Sequence, residues 1–379
     1  MRSGIVGAVV GGVLGIVIGA SVIGPRLHPR GGQAGRPTPT VPAAPADVAR
    51  DLPRLLLPRP DVEIKIAGAA SGDLPLAGTL GRRFDILVTD ASRGQVEINL
   101  YEPDVLVPSG DLLEAVAAGA VDGAFAPPSM IGDGIPALEL FGGIPFGPDI
   151  SEFLGWVKFG GGREILGEIG EARGVHLLIC GLLPPAAAGW FRKEIEIVAD
   201  LKGVKMAVDG LGARALDRLG VQTRRVNLPQ VGAELDAGII DAISFSAPAV
   251  DFHIGLQKHL KYYYFPGWQS PSALLLLVNR GKWQALKSSQ RVLMETACGD
   301  NVSFSVAEGG AAEYAALQDL RAAGVQFRRW PSTIRDELAR SWLQIVEEQS
   351  SRDAEFRRVW ASLSTFRKQY GVWSELSAR

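Results

Sequence analysis

The chain has 379 residues, 47% hydrophobic and 21% charged, which is long enough for two domains with full cores. Its 39 Lys and Arg against 41 Asp and Glu leave a formal charge of −2, which gives no electrostatic reason to expect a nucleic-acid partner. The two cysteines, Cys180 and Cys298, are able to pair outside the cytoplasm, with two buried thiols as the plainer reading.

No residue between Arg2 and Arg26 is charged. The run is long enough to cross a bilayer as a helix, and a cationic start before an apolar stretch also opens a secretory signal. Residues 1–25 therefore read as a signal peptide or an N-terminal membrane anchor. Gly7, Gly11, Gly15 and Gly19 fall four apart, which makes a face for close helix packing unless glycine is simply frequent there. Residues 26–50, rich in Pro, Gly and Ala, suit a flexible linker, so the rest of the chain is expected outside the cytoplasmic membrane, released or tethered.

Order is expected from near Val48. The alternation in 62-VEIKIAG-68 predicts a strand, and 73-DLPLAGTLGRRFDILV-88 carries helical apolar spacing with Asp73 as N-cap. A second strand, 95-QVEINLY-101, precedes a helix, 111-DLLEAVAAG-119, and a short strand, 121-VDGAFA-126. This alternation belongs to the α/β class. The phrase then returns: 117-AAGAVDGAFAPP-128 is matched by 236-DAGIIDAISFSAP-248. In both, a helix stops at glycine and an Asp opens a short apolar strand that runs towards proline. The strand 221-VQTRRVNL-228 and helix 229-PQVGAELDAG-238 complete the second copy. Two similar lobes joined by crossing strands follow, with the loops after 126, 208 and 245 around one cleft. After Asn279 three helices are expected, over 287–324, 332–350 and 353–370. In the last, Arg357, Trp360, Ser364 and Arg367 share a face for the body or for a partner.

Within 203-GVKMAVDGLGARAL-216, Gly210, Gly212 and Ala215 fit a dinucleotide-binding turn. The following strand carries Arg224 and Arg225 where an acid would hold the ribose, which leaves only an NADP-like ligand. No cofactor is expected. His28, His176, His253 and His259 form no H-E-x-x-H, there is no G-x-S-x-G, and 281-GKW-283 lacks the Ser or Thr of a phosphate loop. No metal site and no enzymatic activity are expected. In 262-YYYFPGW-268 the tyrosines read equally as a buried strand or as a site, while Trp268, after a Pro-Gly turn, is placed to wall a cleft.

Three segments, 189-GWFRKEI-195, 200-DLKGVKM-206 and 262-YYYFPGW-268, resemble the solute-binding proteins of TRAP (tripartite ATP-independent periplasmic) transporters. The branch resembled binds α-keto acids and related organic acids, and the resemblance takes in 143-GIPFGPDISEFLGWVKFGGG-162 and 283-WQALKSSQRVLMETACGDN-301, covering roughly 60–370. It implies a two-lobed, hinge-connected, periplasmic-binding-protein-like fold (type II) with a helical C-terminal region. Lobe I would take 51–185 with returning elements from 272–330, lobe II 186–271, and the C-terminal helices 331–379. It also implies a periplasmic receptor that closes on a small organic solute and delivers it to a sodium-coupled membrane permease, with dimerisation through the C-terminal helix as in some relatives. The resembled proteins have Arg at the position of Ala207, Gln near Ala186–Ala188, and Glu-Trp, part of a cation site, at Ser244-Phe245. The expected pocket is therefore Ala207, Asp209, Ser244, Phe245, Trp268, Trp190, Ala186 and Phe125, around a ligand that is less anionic, larger or more apolar. A same-fold sensor and an NAD(P)-binding enzyme are the rival functions.

Overall fold

In a computed structural model of the chain, residues 60–377 are described, apart from 133 and 227. The expected signal or anchor, the linker and the onset of order near Val48 lie outside the described residues. The chain runs β1 (Val62–Gly68), α1 (Thr79–Ala91), β2 (Val96–Tyr101), α2 (Leu112–Ala117) and β3 (Gly123–Ala126). Four helices follow, α3 (Pro128–Ile131), α4 (Pro136–Glu139), α5 (Ile150–Phe159) and α6 (Gly162–Glu171), and then β4 (Val175–Leu183). The second lobe holds β5 (Gly189–Phe191), β6 (Lys205–Val208), α7 (Leu211–Arg218), β7 (Gln222–Arg224), α8 (Val231–Asp236), β8 (Ala242–Ser244), α9 (Pro248–His253) and β9 (Tyr262–Tyr264). The chain returns through β10 (Ser272–Asn279), α10 (Arg280–Ala285), α11 (Ser288–Ala322) and β11 (Gln326–Arg328), and ends in α12 (Ser332–Arg352) and α13 (Ala354–Ser377).

The lobe I sheet has the order β2-β1-β3-β10-β4 and the lobe II sheet β11-β9-β5-β8-β6-β7. β10 lies antiparallel to both its neighbours. It is buried on both faces: Leu274, Leu276 and Val278 enter one core cluster and Ala273, Leu275 and Leu277 another. That explains a run of four leucines without polar alternation. β11, which the sequence groups with lobe I, joins the edge of the second sheet instead. The cause is α11, whose Met294 and Ala297 pack in lobe I while Leu320 packs in the lobe II core.

The repeated phrase is a structural repeat. Gly119 and Gly238 both adopt positive φ, 75° and 67°, at the ends of their helices. The Asp122 carboxylate accepts from the backbone N–H of Lys65 on β1 at 2.9 Å, and Asp241 accepts from Lys205 on β6 at 3.3 Å. In each lobe, then, the same Asp ties the strand it opens to the parallel strand beside it.

Four expectations change. α1 starts at Thr79, and Asp73 does not cap it: its carboxylate accepts the Ser71 hydroxyl at 2.6 Å, and the Thr79 hydroxyl closes the turn by accepting from Leu76 N–H at 3.0 Å. The strand read over 221–228 shrinks to Gln222–Arg224, because it sits at a sheet edge with one neighbour. Cys180 on β4 and Cys298 on α11 form a disulfide, so the two are not free thiols. In α13 the buried face is Phe356, Val359 and Leu363 rather than the predicted stripe. Trp360 meets Trp342 edge-on at 5.7 Å, and Arg367 donates to Glu152 at 3.2 Å and to the Phe146 carbonyl at 2.9 Å. This part of the helix therefore packs on its own body. α12 lies on α7 of lobe II and α13 on α4, α5 and α6 of lobe I, so the pair spans both lobes.

Candidate functional site

The strand C-termini of the two lobes face each other across two crossing segments, 184–188 and 265–271. A Cβ built on Gly210 of lobe II would stand 4.0 Å from Ser129 of lobe I. Nearby, Arg214 of α7 pairs with Glu139 of α4 at 3.7 Å, and on another edge His253 lies 4.0 Å from Asp73. The lobes thus touch at two edges.

At the crossover is a cavity of about 640 Å³. It opens beyond the C-terminal ends of β4, β8 and β9, where α/β proteins place ligands. Six prolines line it, Pro148, Pro184, Pro185, Pro248, Pro266 and Pro271, together with Phe265 and Glu313. A second cavity, of about 780 Å³, sits at the opposite ends of β1 and β3 around Asp61, Lys65, Asp122 and Lys282. There Lys282 pairs with Asp122 at 3.1 Å and Asp61 with Lys287 at 3.0 Å, and the cavity faces away from the crossing segments.

Two carboxyls flank the crossover. Asp251 of α9 is buried; one of its oxygens accepts from Trp190 Nε1 at 3.0 Å and from the Tyr263 hydroxyl at 3.2 Å, and the other from Ser246 N–H at 3.2 Å. Burial pushes its pKa up to about 8 in spite of these three donors. Glu313 of α11 accepts from Ala249 N–H at 2.9 Å through Oε2, while its Oε1 is buried without a hydrogen-bond partner. Burial raises this group to about 7. Neither acid belongs to a motif that marks it out in the sequence.

None of the eight expected residues is among the lining of this cavity, although Ala186 and Trp268 adjoin lining residues in the chain. Trp190 and Ala207 are sealed in the lobe II core at 0% and 1% exposure, and Phe245 packs against the same cluster. The Ser244 hydroxyl donates to the Ala187 carbonyl at 3.0 Å, and Asp209 accepts from Val226 N–H at 3.3 Å. Ala186 is half-buried with its carbonyl against Gly267, and Trp268 stacks with Trp330 at 6.2 Å. Phe125 stands apart, buried in the lobe I core 6.4 Å from Phe84. Two arginines of lobe II are engaged by other side chains: Arg224 is held by Glu234 at 3.1 Å, and Arg214 by Glu139 and by Gln349 at 3.3 Å.

The geometry also explains the glycines of the dinucleotide-like turn. Gly210 has φ 73°, a region that favours glycine. A Cβ at Gly212 would lie 2.6 Å from Nε2 of Gln269, which donates to the Gly143 carbonyl at 2.9 Å. The second glycine thus makes room for a side chain that joins the crossing segment to lobe I. Gly212→Ala is expected to displace Gln269 and to lower stability by about 0.5–1.5 kcal/mol, the net contribution of the hydrogen bond lost to Gly143. A thermal melt unchanged from the native protein would show that Gln269 yields without cost.

The family model for bacterial extracellular solute-binding proteins, family 7 (DctP), matches residues 67–353. A monocarboxylate 2-oxoacid-binding periplasmic protein of Nostoc sp. is 32% identical over 292 residues, 76% of this chain and 80% of that one. A TRAP transporter solute-binding protein from Bordetella bronchiseptica, crystallised with calcium and picolinate, is 26% identical with a TM-score of 0.81, covering 84% of this chain and 95% of that one. One from Colwellia psychrerythraea, with bound calcium and pyruvate, shares the fold at 23% identity and a TM-score of 0.79, covering 83% and 97%.

Proposed function

The chain belongs to the bacterial extracellular solute-binding proteins of family 7, the receptors of TRAP transporters, and on that premise we propose that it captures a small organic solute in the cavity at the lobe crossover and hands it to a membrane permease. The observation that carries this reading is the cavity itself, walled by both crossing segments and by loops of both lobes. Lobe movement would open and close it.

The relatives named above bind a 2-oxoacid, picolinate and pyruvate. A buried carboxylate without a charged partner costs several kcal/mol, which a bidentate Arg offsets through two charge-assisted bonds. With Ala207 in that place, the solute here is one whose binding does not depend on an arginine clamp, and Asp209, Phe245 and Trp268 are expected residues whose side chains are only partly buried. The role is non-enzymatic, in the periplasm. Residues 1–25, with no charge between Arg2 and Arg26, serve export or tethering; no helix of the described residues is long and apolar enough to cross a membrane. A second copy would meet the exposed Val372, Trp373 and Leu376 at the end of α13.

Native mass spectrometry of protein purified from its own host tests the proposal. The expected result is one small organic molecule released per chain on denaturation. No released molecule, together with no thermal shift from a broad panel of organic solutes, would overturn it. A thermal shift with NADPH would favour the enzyme reading instead.

A further inference from the structure

We propose that the solute carries a protonated amino group and that Glu313 receives it. This rests on the crossover cavity being the solute site, and it names the class of solute that the site selects.

The cavity wall carries acidic side chains and no basic one. No Lys, Arg or His lines it, whereas Asp149 and Glu313 do. The six lining prolines present carbonyl oxygens but no backbone N–H. Of the neutral polar side chains, Gln269 and Ser270 are committed, and Ser151 is exposed. The Gln269 amide donates to the Gly143 carbonyl at 2.9 Å; the Ser270 hydroxyl donates to the Pro271 carbonyl and accepts from Ile144 N–H, each at 3.0 Å. A carboxylate accepts only, and this wall offers it no charged donor. An ammonium donates only, with three N–H bonds to place.

The two acids differ in what they have left to give. Asp149 caps α5, accepting from Glu152 N–H at 2.8 Å. Asp251, behind the wall, has both oxygens taken by the three donors described above. Glu313 uses Oε2 on Ala249 N–H and keeps Oε1 without a partner, a costly arrangement for a buried oxygen unless something supplies a donor. A small side-chain rotation would bring Oε1 to a ligand in the cavity that Glu313 already lines. The proline rings and Phe265 then take the carbon skeleton.

Matched pairs of solutes that differ in the amine alone provide the test: alanine against pyruvate, valine against 2-oxoisovalerate, and 2-aminoethanol against ethylene glycol. Each is titrated calorimetrically into the native protein and into Glu313→Gln, which keeps an acceptor for Ala249 N–H. In at least one pair the amine should bind the native protein about 30-fold more tightly than its partner, and the variant should reduce that preference to about threefold or less. Equal or tighter binding of the keto or hydroxyl member overturns the inference, as does a preference that survives the substitution. The comparison on the native protein decides even if the variant fails to fold. If no pair binds and the co-purified solute lacks a basic nitrogen, this inference falls and the receptor reading stands. If nothing binds and nothing co-purifies, both fall.

Discussion

Cys298→Ala is expected to destabilise the protein by about 4–5 kcal/mol and to lower its melting temperature by roughly 5–10 °C. The Cys180–Cys298 bond closes a loop with a sequence separation of 118. In the chain-entropy account a loop of that length removes a large set of unfolded conformations, and the stabilisation grows with the logarithm of its length. Both sulfurs lie in the lobe I core, so the substitution also leaves a small buried void. Dithiothreitol should reproduce most of the shift in the native protein and none in the variant. A melt that dithiothreitol leaves unchanged, with the bond shown by mass analysis to be reduced, would contradict the expectation. A structural disulfide also accords with a family whose members work in an oxidising compartment.

Stability against urea is expected to increase as the pH is lowered from about 8 to about 5.5, the reverse of the usual acid weakening. Asp251 and Glu313 have folded-state pKa values of about 8 and about 7, above their ordinary values of 3.8 and 4.5. Between the ordinary and the raised values the native chain holds protons that the unfolded chain has released. The contribution of these groups is therefore fully present below their unfolded pKa values and is lost as the pH rises through the folded ones. For two buried carboxyls this is on the order of a few kcal/mol. Burial lowers the His176 pKa, and its opposing contribution, lost as the pH falls through the ordinary histidine range, is one group against two. The other opposing groups are exposed: Asp73, Asp200, Glu168 and Glu348 are held low by hydrogen bonds, first among them those to Ser71, to the Glu196 N–H, to Arg358 and to Arg218. Their contribution is lost only as the pH falls further, so greatest stability is expected between about pH 4 and about pH 6. Tryptophan fluorescence in urea at the two pH values gives the midpoints. A midpoint that rises with pH would show that one or both carboxyls are ionised in the folded protein.

The local elements were legible in the sequence where one residue type had one job. Alternation marked β1 and β2, and Gly119 and Gly238 marked helix ends because only their backbones turn there at little cost. Asp73 misled because a polar residue ahead of an apolar run looks like a cap, whether its oxygen meets a helix N–H or, as here, a neighbouring hydroxyl. The pairing of Cys180 with Cys298 needed the packing of α11 on β4, which no local pattern encodes. The site was legible only by its neighbourhood: Ala186 and Trp268 are chain neighbours of cavity residues, while Trp190 and Phe125, chosen as large aromatics, are core. Glu313 was invisible, because its burial depends on α9 packing against α11.

The place of β10 bears on how the molecule assembles. It lies between β3 and β4 in the lobe I sheet, pairing Leu275 with Ala126 on one side and with Ile179 on the other, although the strands β5 to β9 intervene in the chain. Until that strand arrives, β3 and β4 have no partner between them and two unpaired edges stand open. Contacts so distant along the chain form slowly. Lobe II, whose strands apart from β11 run consecutively, has the shorter route and should be in place while lobe I still waits. The half-built first sheet is then the form most exposed to aggregation, and its closing by β10 is the step at which the chain commits to its native shape.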